Sequence, residues 1–310
     1  VEGKKATGSG GQLMVEAAAI ILRHGAEIIA ETDGIGAGGS VILQAIGGQV
    51  VLDNSTINTG VTFRAEGKGG QLTIAAMDIT LEQGAQIIAA THGQGQGGSV
   101  MLTGADHVRL SGQGTQMTSS SYGPGSAGVI QIKETAHLTL ADGALITSGT
   151  ESAAADAGNA GQIEIDLSGV LRMSGGSLIS TSTTGRGDAG GIQVGKTHQP
   201  AVLWMTEGAR ITSGSQSDAP DAGKAGSLDI ATSKRIQLHH CSALTTESQN
   251  AGGGGIQVNT RDWLYLQDSK IATSVQGGAG RGGDIDVDPV FIILANRQIQ
   301  ANAHGGPGGN

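Results

Sequence analysis

Cysteine, proline and aromatic residues are nearly missing from this chain. A single cysteine, Cys241, leaves no partner for an internal disulfide. It suits a reducing compartment, and equally a secreted chain that must cross membranes unfolded and uncrosslinked. Two Trp, two Tyr and two Phe among 310 residues are too few to fill a globular core of this size, which ordinarily draws much of its volume from rings. The core must therefore be narrow and aliphatic. Glycine is abundant, at 55 residues against 5 prolines, but no Gly-X-Y period is present, which excludes collagen. No apolar run approaches the roughly eighteen residues that a membrane-crossing helix needs. Positive charge is scarce: 18 Lys and Arg face 27 Asp and Glu, for a net charge of −9. That balance argues against nucleic acid, whose binding rests on Lys and Arg at phosphates, and does not favour an anionic membrane surface. There is no initiator Met and no signal-peptide pattern. Residues 1–10 read as the tail of an earlier repeat and Gly309-Asn310 as the head of a later one, so a piece of a longer protein is expected.

What the chain does have is a period of about thirty residues. Gly11-Gln12-Leu13-Met14-Val15 is followed by Gly39-Ser40-Val41-Ile42-Leu43 and Gly70-Gln71-Leu72-Thr73-Ile74. The pattern returns at Gly98, Gly128, Gly161, Gly191, Gly226, Gly255 and Gly283, and restarts at Gly309. Periods in this range mark solenoids, and a solenoid is one stack without natural division. Residues 1–310 are accordingly read as a single solenoid.

Each repeat contains three segments with period-two alternation, which places one face inward and one outward. The first carries pairs such as Val41/Leu43, Ile130/Ile132 and Ile285/Val287. The second carries Ile20/Leu22, Leu138/Leu140 and Ile292/Leu294. The third has one large aliphatic (Ile57, Ile87, Met117, Ile146, Ile299) and, two residues on, a small residue (Thr59, Ala89, Ser119, Ser148, Ala301), so the interior must taper there. A helical period is absent and glycine interrupts every repeat. These features predict an all-β fold, a right-handed parallel β-helix of about ten three-strand coils. Its hand follows the general rule for parallel crossovers. Like strands stack about 4.8 Å apart, so ten coils make a rod on the order of 50 Å long. The recurrent glycine pair (Gly38-Gly39, Gly69-Gly70, Gly97-Gly98) is expected to supply a corner at positive φ. Insertions such as Gly149 to Ala160 and Gly214 to Ala225 collect before that corner, making one edge the variable one and a candidate contact surface.

The coil from Gly70 to Gly98, with Gly-Gly-Gln, Ile-Thr-Leu, Gly-Ala-Gln-Ile, Ala-Thr and Gly-Gln-Gly-Gln-Gly-Gly, resembles the passenger repeats of filamentous haemagglutinin-like exoproteins of the cyanobacterial and environmental type. The segment from Gly282 through Gly309-Asn310 is similar to that family as well. The resemblance covers the whole chain. It implies two-partner secretion through an outer-membrane β-barrel transporter, folding at the cell surface, and roles in adhesion, biofilm or contact between cells. The family's N-terminal secretion domain is not among these residues.

Few residues are left over for chemistry. Trp204, Trp263, Tyr265 and Phe291 fall on outward positions of the second strand, with outward Ile293 beside Phe291, and form a candidate surface for sugar rings or a protein partner. Arg186-Gly187-Asp188 is an integrin-type tripeptide that arises readily by chance in a glycine-rich chain. Asp284, Asp286 and Asp288 share an outward face, but the preceding Gly277 to Gly282 departs from the calcium nonapeptide. His239-His240-Cys241 offers metal-ligand types, with His107 and His198 elsewhere, yet it aligns with plain corners such as Asp53-Asn54 and Asp142-Gly143. In the outward column of the second strand no carboxylate pair appears, and Glu164 and Asp229 on the first strand stand two coils apart. A β-helix enzyme acting on acidic polysaccharide needs such groups to converge. The reading is therefore non-enzymatic, with no cofactor and no metal: an extracellular adhesive or structural rod, with side-by-side or end-to-end self-association as the alternative.

Overall fold

A computed structural model describes residues 7–62, 66–152, 154, 157–277, 280–304 and 306–309. Residues 1–6, 63–65, 153, 155–156, 278–279, 305 and 310 lie outside that set, so the expected head and tail residues and the insertion from Gly149 to Ala160 are described only in part. The described chain is an all-β parallel solenoid of about ten turns without helices. Strands of the first and second kinds form an 18-stranded sheet, and those of the third kind a 10-stranded sheet. Every strand pairing is parallel and joins a strand to its equivalent one coil away. Ile146, for instance, pairs with Met117 below and Ile179 above.

The inward columns are as the alternation predicts. Leu43, Leu52, Ile57, Ile87, Met117, Ile146, Leu203, Leu244 and Leu266 are all completely buried. Each such side chain contributes about 1.5–3 kcal/mol by leaving water. In the last coil the inward Ile292 and Leu294 are 46% and 45% exposed, while their register partners Leu264 and Leu266 are buried. No further described coil covers them.

Two features differ from the sequence-based picture. In the second and third coils the first and second strands merge, as Ser40–Asp53 and Gln71–Glu82. Buried Ala45 and Ala76 pack at the bend, and in Ser40–Asp53 the extra residues at Gly47-Gly48 are taken up by a register shift. The second difference corrects the role of the glycine pair. Gly39, Gly70, Gly98 and Gly128 are not among the residues with positive φ. They are glycine because the coils touch there: a Cβ on Gly128 would overlap the carbonyl of Gly98, and one on Gly98 would overlap that of Gly70. Positive φ is used at the other corner, between the second and third strands, at His24-Gly25, Asp142-Gly143, Glu207-Gly208 and His240-Cys241.

The tapering column has a polar purpose. Ser119 and Ser148 donate their hydroxyls to the carbonyls of Gly98 and Gly128 at 2.5 and 2.7 Å. Thr246 and Thr273 do the same to Gly254 and Gly283 at 2.7 and 2.8 Å. Two residues beyond it runs a further ladder of parallel bridges through Thr91, Ser121, Thr150, Thr183, Ser215 and Ser248, all buried.

Candidate functional site

The second strand of each coil turns its intervening residues outward, and register places them in columns along the rod. One column reads Arg109, Thr139, Arg172, Trp204, Gln237, Tyr265 and Ile293. Its neighbour ends in Val202, Arg235, Trp263 and Phe291. Trp263 and Tyr265 meet edge to face, with centroids 6.2 Å apart and planes at 85°. With Gln237, Phe291 and Ile293 they line a shallow groove of about 370 Å³. Phe291 is 66% exposed, while Trp204, Trp263 and Tyr265 are half-buried.

Three of the four aromatic residues expected at one surface are thus brought together. Trp204 stands two coils from Tyr265, with Gln237 between them, and does not line the groove. Its ring instead lies under the Arg172 guanidinium, 3.9 Å from the ring centroid, a cation–π contact. Arg235 approaches Trp263 in the same way at 5.7 Å, and its Nε donates to Gln237 Oε1 at 3.2 Å. Tyr265 Oη donates to Gln267 Oε1 at 3.4 Å, and the His239 ring sits 5.2 Å from that of Tyr265. Both amides are engaged through Oε1. Rings flanked by amides and guanidinium groups suit a partner that is apolar on one face and polar at its edges. Sequence reasoning had the rings but did not set Arg235 or His239 beside them, and weighed His239 only as a metal-ligand type.

The first strand presents a different surface. Its outward column reads Gln131, Glu164, Gln193, Asp229, Gln257, Asp286, so carboxylate and amide alternate coil by coil. Glu164 accepts from Gln131 Nε2 at 2.9 Å and pairs with Lys133 at 3.3 Å. Gln193, Asp229, Gln257 and Asp286 line a second shallow groove of about 410 Å³.

The remaining motifs serve the stack. Arg186 pairs with Asp221 in the next coil at 2.9 Å. Asp188 accepts the Lys224 N–H at 2.8 Å, and its own N–H donates to Asn159 Oδ1 at 2.9 Å. The tripeptide is therefore tied into the coils on either side. Asp284, Asp286 and Asp288 are all exposed, and Arg281 reaches Asp284 at 3.4 Å. His240 and Cys241 form a left-handed corner, at φ 49° and 64°, with His240 Nδ1 3.0 Å from the Thr206 hydroxyl. Among the described residues no group of three or more His, Cys, Asp or Glu is placed to hold a metal ion, and no helix is long and apolar enough to cross a membrane.

No known protein family matches the chain, and no curated protein or solved structure is detectably similar to it.

Proposed function

We propose that this chain is part of an extracellular rod that acts by contact along its side rather than by catalysis, in a secreted protein of the filamentous haemagglutinin-like kind. The observation that carries the reading is the facet of Trp263, Tyr265 and Phe291 with Gln237. These rings are placed on a solenoid whose regular inward columns already account for its stability. Exposed rings gathered along one groove mark a contact site, and a glycan or a surface protein is the partner its rings and amides fit. Export through an outer-membrane β-barrel transporter belongs to the same proposal and rests on the repeat resemblance.

Labelled protein applied to bacterial and abiotic surfaces and to an array of surface glycans tests the reading. The triple variant Trp263→Ala, Tyr265→Ala, Phe291→Ala should lose most binding while keeping its circular dichroism spectrum. Binding that survives in the folded variant, or no binding by the parent protein to any of these surfaces, overturns the proposal.

A further inference from the structure

The two outward facets carry opposite charge at the same spacing. On the first-strand facet, Glu164, Asp229 and Asp286 sit in one column, each two coils from the next. Glu164 is already paired with Lys133 in its own rod, so Asp229 and Asp286 are the rungs that present charge outward. On the second-strand facet, Arg109 and Arg172 share a column, two coils apart, and Arg235 lies two coils further along in the adjacent column. Two coils correspond to about 10 Å in both cases. All three arginines are exposed, Asp286 is exposed, and Asp229 is partly so. Arg172 and Arg235 are held against indole rings, which fixes their position without neutralising their charge.

We infer that the rod associates side by side with further copies of itself, the acidic column of one copy meeting the arginine ladder of the next. The occupant is a second copy because the match is one of both sign and period: a chain of net charge −9 repels itself in general, yet these two facets attract. The facets are different surfaces of one molecule. The contact is therefore heterologous and leaves an acidic face free on one flank and a basic face on the other, so association continues rather than closing at a dimer. Because both ladders repeat every second coil, the pairing recurs at even-coil offsets, and neighbouring rods can stagger. The inference does not rest on adhesion by the aromatic facet.

Sedimentation velocity across a concentration series tests it. In low salt the weight-average mass should rise to roughly twice the monomer or beyond, and added salt should reverse this by screening. The double variants Arg172→Glu with Arg235→Glu, and Asp229→Lys with Asp286→Lys, should each remain monomeric. Mixed together they should associate again, because each then offers the face that the other lacks. A monodisperse monomer in low salt, a reversed variant that assembles like the parent, or a mixture that stays monomeric overturns the inference. Should the reversals unfold the rod, the neutral changes Arg235→Gln and Asp229→Asn give a second reading. Each alone must weaken association, and an unchanged profile in either sinks the idea.

Discussion

The hydroxyl of Ser148 donates 2.7 Å to the carbonyl oxygen of Gly128, inside the rod. The corner glycines bring successive coils into close contact, and the third strand supplies a buried donor to a carbonyl at that corner. That carbonyl also accepts the Gln162 N–H at 3.2 Å, so Ser148→Ala removes one of its two donors and should cost about 0.5–1.5 kcal/mol, the net worth of one hydrogen bond. Thr59 occupies the same column, and its buried hydroxyl has no partner. Thr59→Val keeps the shape and removes that orphan, so it should be neutral or stabilising by about 1 kcal/mol. Chemical denaturation of both variants checks the pair; equal losses would mean that the column is only a matter of size.

The glycine corner makes a sharper demand. A Cβ on Gly128 meets the backbone of the neighbouring coil, and backbone cannot rotate out of the way as a side chain can. Gly128→Ala should cost about 2–4 kcal/mol. Gly11, where a Cβ meets nothing within 4 Å, is the control. Gly11→Ala should leave the unfolding midpoint nearly unchanged.

The columns explain what could be read from the sequence and what could not. Alternation such as Ile130/Ile132 states which side chains go in, and a fixed period states which coil they meet, so fold and register were both legible. The ladder through Thr91, Ser121 and Thr150 was not, because its small hydroxyl residues look like loop composition. The glycine pair was assigned the wrong reason: sequence shows that a Cβ is forbidden, but positive φ and close approach forbid it equally. At the facet, the rings of Trp263, Tyr265 and Phe291 stood out as rare residues. Arg172, Glu164 and Asp229 could be set in their columns from the repeat, but as common residue types they suggested no surface. Arg235 beside Trp263 and the full alternation of Gln193, Asp229, Gln257 and Asp286 emerge from the structure.

Tyr122 stacks on His92, with centroids 4.7 Å apart and planes at 12°. Burial first, and then the Glu151 carboxylate, raise its pKa above the ordinary phenol value of 10.0, against a lowering hydrogen bond with Thr118. The folded state thus favours the protonated ring more than the unfolded chain does. That contribution is intact below pH about 10 and is lost as pH rises past it. Thermal unfolding followed into the alkaline range should show a decline that Tyr122→Phe reduces. An identical decline in the variant would assign it to other groups.

Cys241 stands at φ 64° directly after His240 at 49°, where the equivalent corners place glycine: Gly25 after His24, Gly143 after Asp142 and Gly208 after Glu207. A side chain in the left-handed region costs about 1–2 kcal/mol, and the extra freedom of an unfolded glycine gives back about 0.5–1 kcal/mol of that. Cys241→Gly should therefore stabilise the rod by up to about 1 kcal/mol, seen as a higher denaturation midpoint. Cys241→Val, β-branched and harder to hold at positive φ, should lower it. The thiol is exposed, so neither change opens a cavity, and the two shifts report backbone strain alone. A Gly variant less stable than the parent would mean that the thiol makes a contact worth more than the strain it carries.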